Sequence, residues 1–224
     1  MKTFTHKPVI ISDLASEISE KENASGGRYY KTPTGSSYPS VTTVLSEYSK
    51  EGIKEWRKRI GEEAANKIMR QSSIRGSKFH SMAEDFLNNS FSFDNYGLLE
   101  TELFKVAIPE LEKIDNIRAQ EVPLFSHHLR MAGRVDCVAE YQGKLSIIDF
   151  KTARAEKSRD HILNYFMQAT AYAIMFEERT KIPVSNLVLI IAVEDGFAQI
   201  MNGKRDDYVK DLLKYRDLYE ENNK

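Results

Sequence analysis

The densest apolar patterning lies at residues 129–151, LRMAGRVDCVAEYQGKLSIIDFK, where two runs rich in Val, Ile, Leu and Tyr are separated by Gln142-Gly143. Such runs predict strands, and a two-residue connection ending in Gly predicts a tight hairpin. Residues 1–27 are polar, with a short amphipathic piece at 14–18 and a Ser25-Gly26-Gly27 end, and read as a flexible lead-in. A short strand at 28–30 and a turn at Thr32-Pro33-Thr34-Gly35 precede Ser40, which is placed to cap a helix over 41–45. A second helix is predicted over 52–68, its stripe of Ile53, Trp56, Ile60, Ala64 and Ile68 expected to enter the core, and a third over 73–87. Residues 98–114, interrupted at Pro109, form one bent helix or two short ones with a structural role. A strand at 119–126 leads into the hairpin. Beyond it come a polar connector at 152–160, a helix at 162–178, a buried-type strand at 187–193 that hairpins to 197–201 across Asp195-Gly196, and a mixed-charge helix at 206–221. Helices first, then strands interleaved with a helix, predict an α/β (α+β mixed) core with a central mixed sheet flanked by helices. We expect an extension over 1–37 and a single domain over 38–224.

With 224 residues, 41% of them hydrophobic and 29% charged, one globular domain with a full core is expected. The net charge of −1 argues against a uniformly basic surface, but the charge is uneven. Residues 50–78 carry nine basic residues against four acidic ones. Cys137 is the single cysteine, which excludes an internal disulfide, a cysteine-ligated zinc and an iron-sulfur cluster, and fits a reducing compartment. No run of about 20 apolar residues is present, so no membrane contact is expected, and the N-terminus lacks the features of a transit peptide. The expected location is the cytoplasm, the host's if the chain is viral. No Gly-rich phosphate loop occurs, so no nucleotide cofactor is expected.

The hairpin carries the candidate chemistry. If Tyr141 pairs with Lys144, Asp136 falls opposite Asp149 and Arg134 opposite Lys151. Directly opposed side chains sit roughly 5 Å apart at Cβ, which crowds two carboxylates on one face with Lys151 beside them. A cation between them relieves that repulsion, and hard oxygen donors suit Mg2+ or Mn2+ better than zinc. In an ordinary hairpin the acids would be solvated or paired with Arg134 and Lys151. Against that stands the nearly apolar run Leu145-Ser146-Ile147-Ile148, which reads as a strand buried on both faces, a costly place for spare charge. On the helix at 73–87, Gly76, His80 and Glu84 recur every four residues and share a face. Gly76 there would admit another backbone, and His80 reads either as a ligand or as a core histidine.

These residues resemble a known pattern. Asp136 followed by Asp149-Phe150-Lys151 resembles the acidic pair and lysine of the PD-(D/E)xK nuclease superfamily. Helical His80 upstream, Gly133-Arg134-Val135-Asp136, Asp149-Phe150-Lys151-Thr152, and then Gln168 with Tyr172 are similar to the RecB-like branch. Within it, Tyr38-Pro39-Ser40-Val41-Thr42-Thr43-Val44-Leu45 and residues 76–84 resemble the exonucleases of mitochondrial genome maintenance and of phage type. The resemblance covers about residues 38–194, and it implies a restriction-endonuclease-like core with a helical insertion. It implies a metal-dependent deoxyribonuclease, usually exonucleolytic on single-stranded DNA or DNA ends. His80, Asp136, Asp149 and the Phe150 carbonyl would hold Mg2+ or Mn2+, and Lys151, its pKa pushed down, would orient or activate the attacking water. Gln168 and Tyr172 would bind DNA phosphate or brace the metal site. Glu121 and Glu84 would act behind the ligands or at the surface. Residues 54–75 and the connector bearing Arg154, Lys157 and Arg159 would track phosphates, with Tyr29, Tyr30 or Tyr38 stacking on unpaired bases. The alternatives are a flap-cutting or nicking endonuclease of the same fold, a non-catalytic DNA-binding accessory, and a metal-stabilised structural domain. Roles in DNA replication, recombination and repair fit the leading reading.

Overall fold

Local sequence sets most of the boundaries in this computed structural model, which describes residues 2–17 and 27–223. The elements are β1 (Ser16–Glu17), β2 (Tyr29–Lys31), β3 (Ser37–Pro39), α1 (Val41–Ile60), α2 (Glu62–Leu87), α3 (Leu98–Lys105), α4 (Ile108–Leu111), β4 (Ile114–Ser126), β5 (Met131–Tyr141), β6 (Lys144–Ala153), α5 (Leu163–Thr180), β7 (Asn186–Val193), β8 (Phe197–Lys204) and α6 (Arg205–Asn222). Ser40 caps α1 as expected, its Oγ accepting from the Thr43 N–H at 3.0 Å. Pro109 divides the 98–114 stretch into two short helices.

Five strands form one sheet in the order β4-β5-β6-β7-β8. Every neighbouring pair is antiparallel except β6 and β7, which run parallel and are joined by α5 as the crossover. One face packs against the start of α1 and against α5 and α6 through Val44, Leu45, Phe166, Phe176, Leu189 and Leu212. The other packs against α2, α3 and α4 through Phe79, Phe86, Phe104, Ile148, Phe150 and Ile190. The architecture is the expected mixed α/β core with helices on both faces. The extension joins this core, since Phe4 is buried edge-on against Phe86 at 5.2 Å and the Lys7 N–H bonds the Ile117 carbonyl at 2.8 Å. In the amphipathic piece, Ala15 is buried and β1 pairs with β2, while residues 18–26 lie outside the described residues. No helix among the described residues is long and apolar enough to cross a membrane.

The hairpin turns as its sequence predicts, with Gln142 at φ 50° and Gly143 at φ 75°. Pairing starts at Tyr141 with Lys144 and runs to Cys137 with Ile148. There the ladder ends, one step before Asp136 and Asp149. Beyond that point β5 remains bonded to β4 and β6 to β7, so the two strands part like a fork with the acids in its crotch.

Two expectations fail in the helices. The predicted segments at 41–45, 52–68 and 73–87 are two long helices, broken at Gly61, whose φ of 85° suits glycine. The stripe expected to be core is not buried: Ile53 is 38% exposed, Ala64 is exposed and Trp56 only half-buried. Past Leu45, α1 and the first turns of α2 form a helical arm in which only Ala65 is buried. On the arm and its root, Lys50, Lys54, Arg57, Arg75 and Lys78 are ion-paired to Glu47, Glu51, Glu62, Glu194 and Glu100. Lys58, Arg59, Lys67 and Arg70 have no such partner among the described residues. Among the described residues no atom of another element lies within 4 Å of where a Cβ at Gly76 would stand, so no second backbone approaches it there.

Candidate active site

Asp136 sits where β5 and β6 part, and its carboxylate substitutes for the missing ladder: Oδ2 accepts the Phe150 N–H at 2.9 Å. That bond orients Asp136 toward the end of β6 and brings it beside Asp149, which is 1% exposed. Asp149 Oδ2 lies 2.5 Å from Lys151 Nζ. The contact is short but poorly aligned for a hydrogen bond, and no other donor among the described residues reaches either Asp149 oxygen. Burial of an acid with unfilled lone pairs pushes its pKa up to about 6, against the opposing pull of the Lys151 ammonium. Lys151 was expected to be lowered; without a metal it is raised. Burial disfavours its charge, but Asp149 and Asp136 outweigh burial.

His80 comes from α2 on the opposite side. Its Nδ1 is 3.6 Å from Asp136 Oδ1 and 4.0 Å from Glu121 Oε1, and its ring meets Phe150 edge-on at 6.3 Å. Burial opposes its protonation, but the carboxylates of Asp136 and Glu121 prevail and its pKa is raised. Glu121 lies on β4 between Gln120, which pairs with Cys137, and Val122, which pairs with Val135. It therefore stands across from Asp136, but with φ at 51° its backbone is left-handed and its carboxylate swings into the cluster. Ligand atoms of His80, Glu121 and Asp136 all lie within 4.8 Å of one another. Three such donors, with the unfilled oxygens of Asp149 alongside, fit a hard divalent cation such as Mg2+ or Mn2+. The sequence reading placed Glu121 behind the ligands or at the surface; extending the hairpin pairing to the preceding strand brings it to Asp136.

The remaining candidates separate into two groups. Tyr172 is 4% exposed and lies against Gly133, so bracing is the part of its expected role that this position fits. A Cβ at Gly133 would stand 2.9 Å from the Tyr172 hydroxyl, which accounts for glycine three residues before Asp136. Burial holds the Tyr172 pKa well above the ordinary value. Arg154 is exposed just past the end of β6, without an ion pair among the described residues. Arg159, by contrast, points away from the cluster, its Nη2 donating to the Asn202 carbonyl and the Tyr208 hydroxyl, so the 154–159 connector does not present one continuous basic edge. Glu84 stands next to the cluster, its pKa raised by burial and by Glu121. Of the three tyrosines considered for stacking, Tyr30 is fully buried and the Tyr29 hydroxyl bonds that of Tyr219. Tyr38 is half-buried and its hydroxyl meets His127 Nδ1 at 2.8 Å.

Comparison with known proteins gives concordant results. The sequence profile of the PD-(D/E)XK nuclease superfamily matches residues 100–217. The chain is similar to mitochondrial genome maintenance exonuclease 1 of Homo sapiens, with 29% identity over 173 residues covering 70% of this chain and 50% of that protein. It is similar also to the Xenopus tropicalis protein of the same name, with 29% identity over 175 residues, 70% of this chain and 49% of that one. The chain thus spans about half the length of these relatives. A solved structure from Eubacterium rectale, provisionally assigned as an exonuclease, aligns with a TM-score of 0.45 and 11% identity over 66% of this chain and 64% of that one.

Proposed function

This chain belongs to the PD-(D/E)XK nuclease superfamily, and from that premise we propose that it is a divalent-metal-dependent deoxyribonuclease, an exonuclease hydrolysing phosphodiester bonds in single-stranded DNA or at DNA ends. The observation that carries the reading is the fork: Asp136, Asp149 and Lys151 converge at the parting of β5 and β6, with His80 and Glu121 closing the cluster from two other elements. A binding-only protein has no use for crowded, buried carboxylates.

In this reading His80, Glu121, Asp136 and Asp149, with the Phe150 carbonyl, hold Mg2+ or Mn2+. The ion supplies Lewis-acid polarisation of the scissile phosphate and relief of charge on the leaving oxygen. Asp136, tethered by the Phe150 N–H, keeps its second oxygen toward His80 and the ion. Asp149 holds the Lys151 ammonium at the edge of the cluster, where its N–H donors orient the attacking water toward phosphorus. Gln168 and Tyr172 hold the strand behind Asp136 in place. Arg154 and, on the arm, Lys58, Arg59, Lys67 and Arg70 contact backbone phosphates, which gives binding without sequence preference.

The test is cleavage of end-labelled linear single-stranded, linear double-stranded and circular single-stranded DNA with Mg2+, Mn2+ or EDTA, alongside Lys151→Ala. Loss of linear but not circular strands, dependent on metal and abolished by the substitution, is expected. Cleavage of circles would make the protein an endonuclease, and binding without cleavage would leave a DNA-binding accessory.

A further inference from the structure

The geometry points to Tyr165 on α5 as a positioning residue for Lys151, its ring lying against the same ammonium that Asp149 contacts. Lys151 Nζ lies 5.1 Å from the centre of the Tyr165 ring and 2.5 Å from Asp149 Oδ2. The side chain of Lys151 is 18% exposed, so its charge has little water to hold it and its direction is set by these neighbours. A cation over an aromatic face is held by the ring's quadrupole, most strongly where solvent is excluded. Asp149 and the ring together fix where the ammonium stands, the carboxylate by charge and the ring by its face. Tyr165 stands one turn before Gln168 and two before Tyr172, so one helix supplies the brace behind Asp136 and the plate beneath Lys151.

This inference rests on the reading of Lys151 as the group that orients water, and what it requires is the ring, not the hydroxyl. Tyr165→Phe should cleave linear DNA at the wild-type rate. Tyr165→Leu should lower kcat about tenfold, the scale of a desolvated cation–π contact, with KM and the melting temperature in EDTA unchanged. Tyr165→Met serves as a second apolar replacement should the leucine variant melt early. A readout independent of activity is the NMR signal of the Lys151 εCH2 protons in 13C-lysine-labelled protein, assigned by its loss in Lys151→Arg. The ring current of Tyr165 should displace these protons upfield in the wild type and in Tyr165→Phe, and they should return to the ordinary lysine position in Tyr165→Leu. An ordinary position in the wild type, a slow phenylalanine variant, a fully active leucine variant or a loss confined to KM would each overturn the assignment. A displaced signal in a wild-type protein that cuts no DNA would instead sink the nuclease reading while leaving the contact standing.

Discussion

Substituting Glu121 by Ala and, separately, by Gly measures how much backbone strain the site holds. At φ 51° an L-residue stands in the left-handed region, at a cost of about 1–2 kcal/mol that Gly escapes. Elsewhere in a strand the order runs the other way, Gly being about 0.5–1 kcal/mol less stable than Ala through the entropy of the unfolded chain. The difference leaves Gly ahead of Ala at position 121 by about 0.5–1 kcal/mol, roughly 1–4 °C in melting temperature for a chain of this size. Both variants lose the same carboxylate and should weaken magnesium binding alike, so the comparison isolates the backbone. Thermal unfolding in EDTA, followed by circular dichroism, is the assay. An alanine variant that melts at or above the glycine variant would refute the claim that the backbone is strained to deliver Glu121 to His80 and Asp136.

Four further predictions follow from the same structure. Asp149 titrates near 6 in the metal-free protein; because its ionised form is the penalised one and metal takes that form, calorimetric Mg2+ affinity should fall about tenfold from pH 7.5 to pH 5, and a pH-independent affinity would contradict it. The protonated form of His80, also favoured, adds to the loss in the same direction. Gly133→Ala forces a Cβ against the Tyr172 hydroxyl and should cost about 1–3 kcal/mol in urea unfolding; Tyr172→Phe in the same chain should recover part of it, and strict additivity would show that the two do not touch. Gly76→Ala fills open space inside a helix and should stabilise the protein by up to about 1 kcal/mol, a gain that a lowered melting temperature would disprove. Neutralising Arg59, Lys67 and Arg70 together should reduce the slope of log affinity for single-stranded DNA against log salt by about 2; an unchanged slope would remove the arm from the interface.

The hairpin was legible because its turn is local: Gln142-Gly143 admits two positive φ values, and that fixes the register from Tyr141 and Lys144 inward. Where the ladder stops was not legible. Asp136 and Asp149 part because β5 is held by β4 and β6 by β7, contacts distant in sequence that no local pattern encodes. The stripe of Ile53, Trp56 and Ile60 misled for a related reason, since helical periodicity reads the same whether a face meets a core or a partner helix in an exposed arm. Tyr30 and Tyr172 have the composition of binding residues but the burial of packing residues. The expectation of a lowered Lys151 rested on burial and a neighbouring ion, whereas Asp149 and Asp136 within the fork raise it.

The parallel pairing of β6 with β7 also governs when the candidate site can assemble. A chain made from its N-terminus forward has His80, Glu121, Asp136, Asp149 and Lys151 all exposed to the ribosome's surroundings before β7 exists. Yet the end of β6 that carries Asp149 and Lys151 takes its backbone partners from Leu189 and Ile191, and Tyr165 and Tyr172 arrive on the intervening α5. A nascent chain that ends before β7 lacks the strand that pairs with Asp149 and Lys151. Assembly of the site during synthesis is thus timed by strand order.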